Sequence, residues 1–201
     1  MLTFSARASS RPVPAKLVEQ SNGDSAKLVR LRDGSWVTLR PVRADDEPAL
    51  RTFLAGLSSE SKRLRFFSGA SDTDAAAHWA AHVGPHHYGL VAHDASGGVV
   101  AHATYIQLDT PRGETPRAEV AVEVADRLHG RGLATIMIER LAAVAQARGI
   151  ARFVAEVLPE NRAMLDVFRD GFDAHLTFHE GTDTVEFPTH AWRLALSRFS
   201  V

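Results

Sequence analysis

Hydrophobic and polar positions change period several times along this chain, and each change marks a predicted element. Trp36-Val37-Thr38-Leu39-Arg40 alternates as a strand does, after the turn signal Asp33-Gly34, and Pro41 closes it. Leu50, Phe53, Leu54 and Leu57 then recur at helical spacing behind Asp45 and Asp46, which are expected to cap that helix. Ser58 opens a second short helix over Glu60 to Phe67, and an alanine-rich third runs from about Asp72 to His82. Two β-rich runs follow, 88–92 and 99–108, joined by Asp94-Ala95-Ser96-Gly97-Gly98 as a hairpin. A polar loop, 109–115, leads to a strand over 118–124 and then to a glycine-rich turn. The clearest helix spans Gly132 to Arg148, with Leu133, Ile136, Met137, Leu141 and Val144 as its buried stripe and Gly149 as its stop. A strand at 152–157, a helix over Asn161 to Arg169, and β-rich stretches at 173–179 and 183–195 complete the pattern. Strand, helix, strand, helix over 118–170 predicts an α/β fold: a mixed sheet with helices on both faces.

Composition narrows the class without naming a function. At 201 residues the chain supports one sizeable core. Residues 1–28 hold Pro12, Pro14 and a polar run from Gln20 to Asp24, and are expected to form a disordered extension before a domain over 29–201. The basic, serine-bearing start resembles a transit peptide in composition but lacks an apolar face. A net charge of -1 gives no global reason to expect nucleic acid or an anionic membrane. No apolar run approaches the roughly 18 residues needed to span a bilayer, and a cytoplasmic protein, monomeric or homodimeric, is expected. Cysteine is absent, which excludes disulfides, thiolate metal sites and acyl-cysteine relays.

The sharpest chemical signal is His129-Gly130-Arg131-Gly132-Leu133-Ala134, where a strand passes through two glycines directly into the long helix. Glycines let backbone approach a ligand closely, and the first amides of a helix have no internal partners. With the helix dipole they form a site for phosphate oxygens, to which Arg131 adds a charge-assisted contact. A Walker loop needs Lys-Ser/Thr where Leu133-Ala134 stands, and a dinucleotide fingerprint needs a third glycine. The plainer alternative is a glycine turn that only joins strand to helix.

That loop resembles the Gln/Arg-x-x-Gly-x-Gly/Ala motif of the GNAT superfamily of acyl-CoA-dependent N-acyltransferases, with His129 in the Gln/Arg position. Glu160 to Phe172 is similar to the same family's strand-five and helix-four segment. The resemblance implies a mostly antiparallel sheet with a splayed central strand pair and acetyl-CoA as co-substrate, bound along His129 to Ala134. It also implies that Asn161 contacts the pantetheine arm, and that amides around Val122 and Val124 bond pantetheine and the thioester carbonyl. Phe168 stands where many members carry a tyrosine acid, and the 168–172 segment is one residue shorter than usual. From 31 to 195 the chain resembles bacterial Pat-type protein lysine acetyltransferases, on Leu31 to Ser35, Leu39 to Arg43, Ser58 to Phe67 and Ala118 to Val122. The implied acceptor is a protein lysine, for instance on an acyl-CoA synthetase; a small amine is the alternative.

Attack on a thioester needs a neutral amine, and at pH 7 only about one lysine in a few thousand is neutral. A carboxylate that removes the proton relieves this. Glu119 and Glu123 lie four residues apart on one strand face. By resemblance Glu119 is the general base, while Glu123 is read as a structural or solvated partner. His78 and His82 have the i, i+4 spacing of metal ligands, but no Glu lies between them, so the histidine cluster is read as a solvated or acceptor-lining face and no metal is assigned. His102 is a candidate for the acceptor site, and Trp36, Trp79 and Trp192 are read as packing residues. The rival functions are a non-catalytic acyl-CoA sensor and a nucleotide-binding protein.

Overall fold

A computed structural model describes residues 26–67 and 72–191. Residues 1–25 of the expected 1–28 extension, the end of the last β-rich stretch at 192–195 and Trp192 lie outside the described residues. Eight strands form one sheet in the order β1-β2-β3-β4-β5-β6-β8-β7: β1 Lys27–Arg30, β2 Trp36–Pro41, β3 His87–His93, β4 Val99–Gln107, β5 Arg117–Val124, β6 Arg152–Val157, β7 His175–His179 and β8 Thr182–Pro188. Every neighbouring pair is antiparallel except β5 with β6. β1 begins at Lys27, two residues before the expected start of order. The last β-rich stretch stops at Pro188, followed by a 3-10 turn over Thr189–Ala191.

Among the described residues five helices cover the sheet: α1 Glu47–Ala55, α2 Ser59–Phe66, α3 Thr73–Ala81, α4 Leu133–Ala147 and α5 Arg162–Phe172. Strand alternation sends side chains to two cores. On one face Leu90, Ala101, Ala103, Tyr105, Ala118, Val120 and Phe153 meet α4 and α5. On the other, Val42 and Val91 meet Leu50, Phe53, Leu54 and the alanines of α3. Full burial of residues such as Met137, Leu141 and Phe172 contributes about 1.5–3 kcal/mol each.

Two local expectations change. Asp46 does not cap α1 with its side chain; its carboxylate takes a two-pronged ion pair from Arg40 at 2.6 and 2.7 Å and the amide of Arg43 at 2.8 Å. The rigid fork of arginine outcompetes a helix amide for both oxygens. The stripe of α4 is also wider than predicted: Ile136 and Val144 are only half-buried, whereas Ile138, Ala142 and Ala145 are fully enclosed. Both sides of this helix are covered, so small and polar positions become interior as well.

Glu139 is one of them. It is 8% exposed, and burial pushes its carboxyl up to about 7, against a small opposing pull from Arg140. A carboxyl with a raised folded pKa binds more protons folded than unfolded between about pH 4.5 and 7, so it lowers stability as pH rises through that window. Glu139→Gln should therefore melt above the parent at pH 8 and level with it near pH 4.5. A difference that does not vary with pH would contradict this account.

Candidate functional site

β5 and β6 pair over only three positions, Arg117 with Arg152, Ala118 with Phe153 and Glu119 with Val154. Beyond Glu119 the two strands part. β5 stays bonded to β4 along its whole length, and Ala125 donates to the Val100 carbonyl at 2.8 Å. Alternation along the strand then turns the amides of Val122 and Val124 toward the gap. The gap opens into a cavity of about 680 Å³ lined by Glu119 to Val124, Ala155 to Val157, Gly130, Gly132 to Thr135, Asn161 and Phe168. Thus Glu119, Val122, Val124, His129, Gly130, Gly132, Leu133, Ala134 and Asn161, singled out from sequence, all border one space.

The turn between β5 and α4 depends on its glycines. Gly130 and Gly132 hold φ of 73° and 84°, a region that costs other residues about 1–2 kcal/mol. Gly132 is the N-cap of α4 and supplies no side-chain cap, so the first amides of a 15-residue helix face the cavity with the positive end of its dipole. Leu133 meanwhile anchors the turn by being fully buried. His129 lines the cavity but directs Nε2 to the Val124 carbonyl, 2.9 Å away, fixing the turn to the strand end.

Arg131 is placed differently from expectation. Its guanidinium is ion-paired with Asp33 in the β1–β2 turn, and it is not among the residues bordering the cavity. The charge near the loop is instead Arg32, whose side chain crosses Gly132 so closely that a Cβ there would sit 3.2 Å from its Nε. The Arg32 amide also donates to the Arg131 carbonyl at 3.1 Å, locking the two turns together. Sequence reading missed Arg32 because it lies 100 positions before the loop; only its place in the Leu31 to Ser35 segment hinted at a role.

Glu119 and Glu123 share a face of β5, beneath α2, as predicted, but differ in surroundings. Glu123 is enclosed, bonded to Arg65 Nε at 2.9 Å and to His102 Nδ1 at 2.8 Å. Burial alone would raise its pKa; Arg65 and His102 outweigh burial and hold it at about 2. Glu119 is half-buried on the cavity wall. Burial pushes its carboxyl up, Arg65 pulls it down, and Glu156 on β6 pushes it up again. His102 is only 1% exposed and does not border the cavity, so the sheet encloses it instead of offering it to an acceptor. Asp126 accepts from the Ser58 amide and from the hydroxyls of Ser58 and Ser61, at 3.0, 2.7 and 2.6 Å, tying α2 to the start of the loop.

A profile described as "Acetyltransferase (GNAT) family" matches residues 54–172, more than half of the chain. The chain belongs to the GNAT acetyltransferase family. Acetyltransferase Pat from Mycolicibacterium smegmatis is 32% identical over 138 residues, which make up 68% of this chain and 40% of that protein. The crystal structure of the GNAT domain of S. lividans PAT is 38% identical and superposes with a TM-score of 0.70, covering 81% of this chain and 96% of that one. A cAMP-binding acyltransferase from Mycobacterium smegmatis is 27% identical with a TM-score of 0.56, over 82% of this chain and 47% of that one. The chain thus spans less than half the length of the two mycobacterial relatives.

The family and the S. lividans structure agree with the observed fold, a mostly antiparallel sheet with a splayed strand pair. Asn161 caps α5, its Oδ1 accepting from the Met164 amide at 3.3 Å, while it borders the cavity. α5 runs on to Phe172, three residues past the predicted end, and Phe168 is buried against Phe172 and Phe187. This GNAT enzyme therefore has an aromatic wall with no exchangeable proton at that position. The tryptophans divide: Trp79 stacks on His87 at 4.3 Å, but Trp36 is 51% exposed on β2 and is not a core residue. Removal of the Glu123 carboxylate by Glu123→Ala would strand Arg65 and His102 without their shared partner. A loss of about 3–5 kcal/mol is expected in urea unfolding; a loss below about 1 kcal/mol would show that the network is not structural.

Proposed function

We propose that this enzyme transfers an acetyl group from acetyl-CoA directly to a primary amine, with a protein lysine as the favoured acceptor. What carries the reading is the meeting of a half-buried carboxyl of raised pKa, Glu119, with an uncapped helix start and a strand splay on a single cavity. The amides of Gly132, Leu133 and Ala134 suit the pyrophosphate, backed by Arg32 and by the closeness that glycine permits. Asn161 and the Val122 and Val124 amides suit the pantetheine arm, which has the polar groups of a short peptide and fits between parted strands.

The thioester supplies the activated acyl group. The chain's own task begins with the acceptor, which arrives as an ammonium ion. Glu119 takes a proton from it, directly or through water, leaving a nitrogen lone pair to form the new C–N bond as the C–S bond breaks. Amides aimed into the splay stabilise the charge that develops on the carbonyl oxygen. Burial favours Glu119 as a base, because it holds a proton more firmly than an exposed carboxylate does. The nitrogen sheds its second proton to water as the amide forms, and the departing thiolate takes a proton from water, since Phe168 has none to give.

The resemblance to Pat-type enzymes supports a protein lysine as the acceptor, with a small amine as the second outcome. A CoA-release assay with acetyl-CoA against acyl-CoA synthetases, lysine peptides and small amines is expected to give the highest kcat/KM with a protein lysine. Turnover of small amines alone would reassign the acceptor, and absence of turnover on every acceptor would leave a sensor. Glu119→Gln should lower kcat by about 10²–10⁴ with acetyl-CoA affinity unchanged. Gly132→Ala should instead weaken acetyl-CoA binding measured by calorimetry, and equal affinity for ATP or NAD in the parent would remove the CoA assignment.

A further inference from the structure

The pair His78 and His82 lacked a third ligand in the sequence, and the fold brings one. Glu47, the first residue of α1, directs Oε2 to His78 Nδ1 at 3.0 Å and lies 3.7 Å from His82 Nδ1. One donor atom from each of the three residues falls within 4.8 Å of the others. A tetrahedral ion with bonds of about 2.0–2.2 Å sets its donors roughly 3.3–3.6 Å apart, so the 3.0 Å between Glu47 Oε2 and His78 Nδ1 is near that of a metal-bound pair, and His82 completes the set within 4.8 Å. The two imidazoles lie over one another, with ring centroids 4.2 Å apart and planes inclined by 28°. That alignment presents both rings toward the same side of the last turn of α3.

The surroundings orient the donors as an outer shell does around a metal. Arg51 takes Oε1 of Glu47 at 2.7 Å, leaving Oε2 turned to the histidines, and Arg51 is itself held by Asp74 at 2.8 Å. His82 Nδ1 lies 2.8 Å from the His78 carbonyl. A ring that donates Nδ1–H to a carbonyl offers Nε2 as its ligand atom, the usual tautomer of a metal-bound histidine. Two imidazoles and one carboxylate, with no thiolate in the chain, match zinc and its neighbours Co²⁺ and Ni²⁺ better than Ca²⁺ or Mg²⁺, which need oxygen shells.

We propose that Glu47, His78 and His82 form a binding site for a divalent transition ion, zinc foremost, that staples α1 to α3 and leaves one position open to water. The site stands apart from acyl transfer, since none of the three residues borders the cavity between β5 and β6. It acts on the helical layer over Val42 and Val91, where α1 and α3 already share a core. An ion that binds only the folded chain stabilises it in proportion to the logarithm of its saturation.

The experiment titrates Zn²⁺ alone into the tag-free, chelator-treated full chain by calorimetry, with thermal melts in parallel. Binding of one ion per chain and a rise in Tm are expected, together with the visible absorption of tetrahedral Co²⁺ when that ion replaces zinc. His78→Ala, His82→Ala and Glu47→Gln should each weaken binding by about tenfold or more. The two histidines are exposed, so His78→Ala and His82→Ala should melt as the parent does when no metal is present. A parent that binds no zinc overturns the site. So does a His78→Ala, His82→Ala double variant that binds as tightly as the parent, which would move the ion to other histidines.

Discussion

The early parting of β5 from β6 is the constraint on which the rest of the site depends. Two strands that stayed paired would use each other's N–H and C=O groups, and the sheet would be closed. Here only Arg117, Ala118 and Glu119 of β5 are matched by β6, and the remaining N–H groups on that edge open onto a cavity. A sheet interior rarely leaves such groups unpaired. The structure tolerates it because β4 holds β5 through its whole length, and because β6 is held on its far edge by six consecutive positions of β8. The splay is thus a local absence of bonding between two well-supported halves, with α4 and α5 packed beneath it.

Its walls are fixed by charge as much as by apolar packing. Asp126 binds the start of α2, and Glu123 binds Arg65 near the end of the same helix. α2 has no fully buried residue, so these two anchors, together with Lys62 on the Ala55 carbonyl and the partly buried Phe66, set where it lies. Asp126 also opens the turn that leads to the helix start of α4. The wall above Glu119 and the loop beside it therefore share one carboxylate, and a shift of either would be felt by both.

How much of this was legible in the sequence depends on how local the cause is. The β6 strand was read at its true limits because its apolar run is bounded by Gly149 and Pro159, and α4 was placed to within one residue because glycines flank it. Glu119 and Glu123 were rightly put on one face, since alternation needs no tertiary knowledge. What failed was nonlocal. Arg131 leaves the loop because Asp33, 98 positions away, offers a carboxylate, and Arg32 takes its place near Gly132. Asp46 abandons its cap for Arg40, and Trp36 is exposed because β2 bears on solvent there, not on either core. His102 was read as a group that could reach an acceptor, and only the pairing of β4 with β5 shows it enclosed opposite Glu123.

The different fates of Glu119 and Glu123 show how one strand can carry a carboxyl of raised proton affinity and a structural anion four residues apart. Both sit under the influence of Arg65. Glu123 is in direct contact with that guanidinium and with His102, so its carboxylate is held at about 2, and it returns a captured proton at once near neutrality. Glu119 feels Arg65 without a bond to it, and burial and Glu156 push the other way. The direct contact that makes Glu123 a good anchor makes it a poor base. The two carboxyls share Arg65 and differ in how it reaches them: burial keeps the proton affinity of Glu119 raised, while direct contact removes that of Glu123.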